Sequence, residues 1–241
     1  MTDELVRIGP VDDWVRTVAH HLRTDARPVP ADRADLDRLL DGLAGRPLLL
    51  SCDVRGLSAV LLRLIRREQV TDVPIGWVPD ADRDSLELAA RLGLPARPTL
   101  AADAATTGAV RRIRLVRDDH GGLLLHRGTL TPSTGRRFGG QTYHDDTLIA
   151  DGAVRRLEVR PDYAAGCAVL AEVHRPGVAT RVRRSTGRSV QTACAEATAT
   201  VDGLAHPRPV TRWTWYADPR QHWLLRTPEP PAGDPAGPAP R

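Results

Sequence analysis

The stretch LLLSCDVRGLSAVLLRLI, Leu48 to Ile65, decides the fold class of this chain. Its first residues form an apolar run typical of a buried parallel strand, and from Leu57 onward apolar residues recur at helical spacing. A short polar turn, Cys52-Asp53-Val54-Arg55-Gly56, lies between the two segments. In an open α/β sheet such a turn faces the crevice at the carboxyl ends of the strands, where phosphate groups bind at helix N-termini. The stretch therefore indicates a strand, turn and helix unit with a candidate phosphate site.

Helices and short apolar strands alternate on both sides of this unit. A linker or a short helix is expected at residues 96–109, where the composition changes. The alternation before this point predicts a parallel sheet with helical crossovers. The predicted elements are helices at 11–24, 31–45, 57–68 and 85–92, and strands at 47–51 and 73–79.

From about residue 109 onward, short strands alternate with turns. The alternation is clear in Arg212-Trp213-Thr214-Trp215-Tyr216, and the predicted turns include Asp151-Gly152 and Asp202-Gly203. The chain ends in a segment rich in proline and glycine, which is typical of disorder. We therefore predict three regions, which are an α/β domain at 1–105, a β-rich domain at 106–227 and a disordered tail at 228–241.

The composition limits the chemistry that the chain can perform. All 34 basic residues are arginine, and the sequence contains neither lysine nor asparagine. A P-loop lysine, a Schiff-base lysine and a catalytic asparagine are therefore excluded. The net charge is only +4 and aromatic residues make up 4% of the chain, so no nucleic-acid partner is expected. The sequence shows no signal peptide or membrane-spanning run, which predicts a cytoplasmic location.

Two short motifs add to this order of elements, AVRRIRLVRDD at Ala109 to Asp119 and Thr200-Val201-Asp202-Gly203. Together with that order they resemble the diacylglycerol kinase catalytic-domain family, a lipid kinase family related in fold to the NAD kinases. AVRRIRLVRDD, Ala109 to Asp119, is similar to the segment that enters the β domain in this family. Thr200-Val201-Asp202-Gly203 is similar to its Val-Asp-Gly turn. The resemblance covers residues 25–227. It implies the fold of these kinases, with an N-terminal parallel-sheet α/β domain followed by a β-sandwich-like domain.

The motifs that bind phosphate in this family are altered here. Where family members carry Gly-Gly-Asp-Gly-Thr, this chain has Cys52 to Gly56, and side chains replace glycines that a close phosphate contact needs. Where they carry Gly-Thr-Gly-Asn-Asp, it has Asp80-Ala81-Asp82-Arg83-Asp84. The family's N-terminal Asn-Pro-x-Ser-Gly strand has no counterpart in the sequence. These changes favour a protein that has departed from ATP-dependent lipid phosphorylation.

The candidate ligand residues lie in the two altered turns. Arg55 is expected to bind an anionic headgroup or a phosphate at a helix N-terminus. The acidic alternation at 80–84 is compatible with Mg²⁺ and also with a solvated loop that caps a helix, and we predict no metal site. The resemblance implies Asp151 as a catalytic base, although a tight turn explains it equally well. The predicted phosphate- or ligand-binding residues are Asp53, Arg55, Gly56, Asp82, Arg83 and Asp84.

Three functions stay open from the sequence. The first is a degenerate, non-catalytic binding or regulatory module for a lipid or a phosphorylated small molecule, with peripheral membrane contact. The second is an active ATP-dependent lipid kinase with divergent loops, and ATP and Mg²⁺ are implied as cofactors only in this case. The third is a structural protein that forms a homodimer through exposed β edges and binds no small molecule.

Overall fold

We describe a computed structural model of the chain over residues 4–43, 45–164, 168–176 and 181–228. The tail predicted at 228–241 lies outside these ranges, except for its first residue. The helices are α1 Asp13–Leu22, α2 Arg33–Asp41, α3 Val54–Arg66, α4 Arg83–Leu92 and α5 Pro98–Thr107. The strands are β1 Leu5–Arg7, β2 Ala26–Pro28, β3 Leu48–Cys52, β4 Pro74–Pro79, β5 Ala109–Asp118, β6 Leu123–Leu124, β7 Gly128–Pro132, β8 Phe138–His144, β9 Thr147–Val154, β10 Arg156–Asp162, β11 Ala168–Arg175, β12 Arg181–Gly187, β13 Ser189–Val201, β14 Leu204–Ala205 and β15 Val210–Thr227.

The N-terminal half is a parallel sheet with helices on both faces. Its strand order is β2-β1-β3-β4, and the second half of β15 continues it, parallel to β4. Side chains such as Leu50 and Trp77 face α2, α3 and α4 in one core. Leu49 and Val78 face α1 and α5 in another. Strand residues therefore alternate between two buried faces, which explains the continuous apolar runs in the sequence.

Two strands of this sheet are additions to the predicted pattern. The segment LVR, Leu5–Arg7, forms β1 between β2 and β3, so the expectation that the N-terminal strand has no counterpart is wrong. The strand is present and only its motif is missing. Both β1 and β2 have three residues, which is too short for a period to show in the sequence. The segment expected as a linker or short helix contains α5, and the boundary predicted at residue 105 falls within this helix.

The C-terminal half forms two packed layers of mainly antiparallel strands. One layer continues from the second half of β13 in the order β7, β10, β11 and β12, and the other continues from its first half through β8 and β9. Ile149, Leu157 and Trp215 lie in the core between the layers. The fold class is therefore confirmed, with an α/β half followed by a β-sandwich-like half.

Strand β15 runs through both halves. Its first half pairs with β13, and its second half pairs with β5 and β4. The sequence pattern predicts two strands here, separated by the polar residues after Ala217. The structure joins them into one strand, with a register shift against β5 between Ala217 and His222. In the described part of the chain, no helix is both long and apolar enough to cross a membrane.

Gly76 sets the distance between β4 and α5. A methyl group at this position would lie 2.0 Å from the carbonyl oxygen of Ala105, so the helix would have to move. We expect Gly76→Ala to lower the free energy of unfolding by roughly 1–3 kcal/mol, as measured by urea denaturation. Gly139→Ala in β8 is the control, because a methyl group there meets no atom within 4 Å. Equal losses in both variants would contradict this account of the packing.

Candidate functional site

Strand β3 passes into helix α3 through one residue, Asp53. Its carboxylate accepts the backbone N–H of Gly56 at 2.8 Å and caps the helix. The polar turn of the sequence is therefore the first turn of the helix rather than an open loop. Because the N-terminus of a helix carries partial positive charge, the capping carboxylate lies where a bound phosphate would otherwise be favoured. Gly56 allows close packing, since a methyl group there would lie 2.7 Å from Cβ of Cys52.

Arg7, at the end of β1, is a site residue that the sequence analysis missed. Its side chain is almost fully buried and forms an ion pair with Asp80 at the end of β4. Its Nε also donates to the carbonyl oxygen of Pro10 at 2.8 Å. Burial raises the pKa of Asp80 above its ordinary value, although Arg7 acts in the opposite direction. The ion pair thus joins two strands at the carboxyl end of the sheet.

The residues after Asp80 have separate partners. Asp82 caps α4 by accepting a backbone N–H at 3.0 Å. Arg83 is exposed and pairs with Glu87 at 2.7 Å, one helical turn further on. Asp84 accepts from Nη2 of Arg127 at 2.7 Å and so links α4 to the β half. The alternating carboxylates are therefore directed to three different contacts.

His126 lies buried between α4 and the β half. Its Nε2 is 3.4 Å from Oδ1 of Asp84 and 3.6 Å from Oε2 of Glu87. Within the described ranges these three side chains are the group that could hold a metal ion. However, Arg91 approaches Nδ1 at 3.3 Å and Arg127 approaches Nε2 at 3.4 Å. Burial, followed by the charge of Arg91, lowers the pKa of His126. Asp84 and Glu87 already have guanidinium partners of their own, Arg127 and Arg83.

Asp202 organises the loops on the β side of the crevice. Its carboxylate accepts the backbone N–H groups of Leu125, His126 and Arg127 at 2.8–2.9 Å. Burial raises the pKa of Asp202 to about 6, although these three hydrogen bonds act in the opposite direction. The Val-Asp-Gly turn seen in the sequence is therefore the anchor for residues 125–127.

A cavity of about 390 Å³ lies between α3 and the turns of the β half, and we call it the crevice cavity. Arg55 lies at its edge, and its Nη2 donates to the carbonyl oxygen of Gly203 at 3.2 Å. Arg55 also lines a second cavity of about 670 Å³ at the strand ends, together with Asp53 and Gly56. Its side chain is exposed and forms no ion pair with a described carboxylate.

Aromatic rings form one wall of the crevice cavity. His120 stacks on Trp213 with ring centroids 4.3 Å apart and an angle of 14° between the planes. His206 meets these two rings edge-on at 5.3 and 5.4 Å. The alternation of polar and aromatic residues around Trp213 was visible in the sequence. The cluster was not, because its three members come from turns and strands that are distant along the chain.

The structure brings together only part of the predicted site. Asp53, Arg55 and Gly56 line the cavity at the strand ends, whereas Asp82, Arg83 and Asp84 line neither of the two cavities. Asp151 is exposed on β9, where Nε2 of Gln141 donates to it at 3.3 Å, and it lines neither cavity either. Its role as a catalytic base stays a prediction.

Comparison with known proteins shows similarity at the level of structure. No protein-family model and no curated protein sequence matches the chain. The chain is similar to a diacylglycerol kinase structure from Bacillus anthracis, with a TM-score of 0.69 and 11% identity over 95% of this chain and 97% of that one. It is also similar to an NAD kinase from Archaeoglobus fulgidus in complex with ATP, with a TM-score of 0.59 and 13% identity over 94% of both chains.

The chain has the diacylglycerol kinase fold. This confirms the resemblance drawn from the order of elements and the short motifs. At such low identity the likeness concerns the fold alone, and the diacylglycerol kinase fold does not by itself assign an activity. The activity must be argued from the site.

Asp202 gives the stability of the protein a specific pH dependence. Its pKa rises from 3.8 in the unfolded chain to about 6 in the folded protein, so its contribution to stability is lost as the pH rises through 6. The quantity to compare is the free energy of unfolding of the wild type and of Asp202→Asn. We expect the difference, wild type minus variant, to fall by up to about 3 kcal/mol between pH 4 and pH 7. Urea denaturation across this range measures the difference, and a constant value would contradict the prediction.

Proposed function

We propose that this chain is a non-catalytic binding module on the diacylglycerol kinase fold, and that it binds an anionic or phosphorylated ligand at Arg55. The Asp53 cap is the observation that supports this proposal. The helix N-terminus at the end of β3 already has a carboxylate of its own, and no glycine loop leads to it. The phosphates of a nucleotide would meet this carboxylate and that of Asp80 in the same cavity.

Arg55 is the residue best suited to bind the ligand. A guanidinium group has five N–H donors in a planar fork, and one hydrogen bond to Gly203 leaves most of them for an anion. Its position at the edge of both cavities gives a ligand access from either side. A carboxylate or phosphate group can therefore bind there without displacing an ion pair.

The second candidate function is an ATP-dependent lipid kinase, the activity named for the diacylglycerol kinase structure of similar fold. It would require Asp151 to take a proton from a lipid hydroxyl and Mg²⁺ to bind near residues 80–84. Asp82, Asp84 and Asp151 line neither cavity at Arg55. Asp80 does line the cavity at the strand ends, but it is already paired with Arg7. We therefore place the kinase second. Peripheral membrane contact and a homodimer remain further proposals about partners.

The proposal predicts that anions stabilise the protein through Arg55. In a thermal-shift titration, inorganic phosphate and glycerol phosphate should raise the melting temperature by roughly 5–10 °C near 100-fold saturation. The shift should disappear in Arg55→Gln. It should persist in Arg66→Gln, which changes an exposed arginine in the last turn of the same helix.

Two other outcomes would count against a non-catalytic anion-binding module. If ATP with Mg²⁺ stabilises the protein and is consumed with diacylglycerol, and Asp151→Ala abolishes this turnover, the chain is a kinase. If no anion shifts the melting temperature of a normally folded sample, the chain is not an anion-binding module, and a structural role becomes the better explanation.

The Asp53 cap can be tested separately from Arg55. Asp53→Ser keeps an oxygen that caps the helix but removes the negative charge beside the cavity. We expect this variant to bind inorganic phosphate about fivefold more tightly, because a charge repulsion of roughly 1 kcal/mol is lost. Asp82→Ser is the matched control, because Asp82 caps α4 in the same way and lies outside the cavity. An equal gain in both variants, measured by calorimetry, would refute the role of Asp53.

A further inference from the structure

We infer that the crevice cavity takes a single-chain organic anion, with its carboxylate or phosphate group at Arg55 and its apolar part in the cavity. This inference rests on the proposed function and specifies the chemical class of the ligand. It follows from three features of the cavity. These are its apolar walls, the position of Arg55, which has no ion-pair partner among the described residues, and its size.

The walls beyond Arg55 are apolar on both sides. Leu62 of α3 lies on one side, and Leu123, Val201 and Leu204 lie on the other. Leu204 is 68% exposed, which is the highest value among the large hydrophobic side chains of the described residues. A single exposed leucine is ordinary, but one at the edge of an apolar cavity continues that surface to the solvent. An apolar ligand would remove this surface from water.

The charged groups of the cavity leave one place for an anion. Asp118 accepts the backbone N–H groups of His120 and Gly122 at 2.9 and 2.8 Å, and Asp202 accepts three others. Both carboxylates are therefore already bound to backbone N–H groups, Asp118 to those of its own turn and Asp202 to those of residues 125–127. Arg55 lines the same cavity and has no ion-pair partner among the described residues. A ligand with one anionic end and one apolar end fits this distribution.

The size of the cavity favours one chain. Its volume of about 390 Å³ lies near the lower end of the roughly 300–1,000 Å³ typical of small-molecule sites. A medium-length alkyl chain with one anionic group matches this space. A lipid with two acyl chains would extend well outside it. The cavity therefore fits an alkyl carboxylate or an alkyl phosphate.

The test is a chain-length series measured by calorimetry below the micelle concentration. Inorganic phosphate, butyl phosphate, hexyl phosphate, octyl phosphate and decyl phosphate serve as probes. Affinity should rise about threefold to fourfold for each methylene that becomes buried, with one ligand bound per chain, and then level off when the cavity is full. A comparison of decanoate with decyl phosphate shows whether the site binds a carboxylate or a phosphate group more tightly. Decanol should bind far more weakly than either, since it lacks the charge.

Variants separate the apolar contacts from the anion contact. Leu204→Ser should lower the affinity for decyl phosphate about tenfold, and should lower it more than the affinity for inorganic phosphate. Leu100→Ser is the control, because Leu100 is 45% exposed on α5 and does not line the cavity. Arg55→Gln should weaken the binding of every anion in the series.

The outcomes distinguish this inference from the proposed function. If inorganic phosphate and decyl phosphate bind equally well and both depend on Arg55, the single-chain ligand is refuted and the anion-binding function stands. If the alkyl compounds bind with more than one molecule per chain and regardless of Arg55, their binding is nonspecific and the inference fails. If no anion binds, both proposals fail.

Discussion

Strand β15 holds the two halves of the molecule in one arrangement, because its backbone hydrogen bonds belong to both. Its first half pairs with β13 in the sandwich, and its second half pairs with β4 in the parallel sheet. Trp215 and Trp223 lie on this strand and are buried in different cores. Buried backbone groups need partners, so the halves cannot separate without losing these pairs and exposing large aromatic side chains. The two halves on either side of the crevice are therefore joined by a shared strand.

Arginine side chains make several of the contacts across the crevice. Arg55 donates to the carbonyl oxygen of Gly203, Arg91 donates to that of Pro161 at 2.7 Å, and Arg127 pairs with Asp84. A guanidinium group can bind a carbonyl oxygen and still present donors in other directions, which a lysine ammonium does less effectively. The exclusive use of arginine in this chain thus has a structural consequence. Two of the three arginine contacts named here end on backbone carbonyl oxygens.

The sequence predicted those parts of the fold whose pattern is long enough to show. The β3–α3 and β4–α4 units were found because their strands are almost entirely apolar and their helices are amphipathic over ten or more residues. β1 and β2 were missed because they are too short. β15 was divided in two because the polar residues around Pro219 resemble a turn, whereas pairing with β5 carries the strand through that point.

The site was only partly predictable for a related reason. Asp53, Arg55 and Gly56 were found because they follow a recognisable strand within a few residues. The partners of this turn are distant in sequence: Arg55 contacts Gly203, and Arg7 contacts Asp80. Such pairs depend on how the halves pack, which no local pattern contains. The same holds for the stacking of His120 on Trp213.

The two helix caps are the structural basis of the proposed change of ligand on this fold. Asp53 and Asp82 each place a carboxylate at a helix N-terminus that follows a parallel strand. The dipole that would attract a phosphate attracts this carboxylate equally well. The carboxylate belongs to the residue just before the helix, so it loses less freedom of motion on binding the helix N-terminus than a free ligand would lose. It therefore occupies this position. In the proposed function, an anion in the crevice is repelled from the helix N-terminus by Asp53 and attracted to Arg55, which lines the crevice cavity beside its apolar walls. Under the proposed function, a few altered residues at the end of a strand redirect the preferred ligand from a chain of phosphates to a single charge with an apolar body.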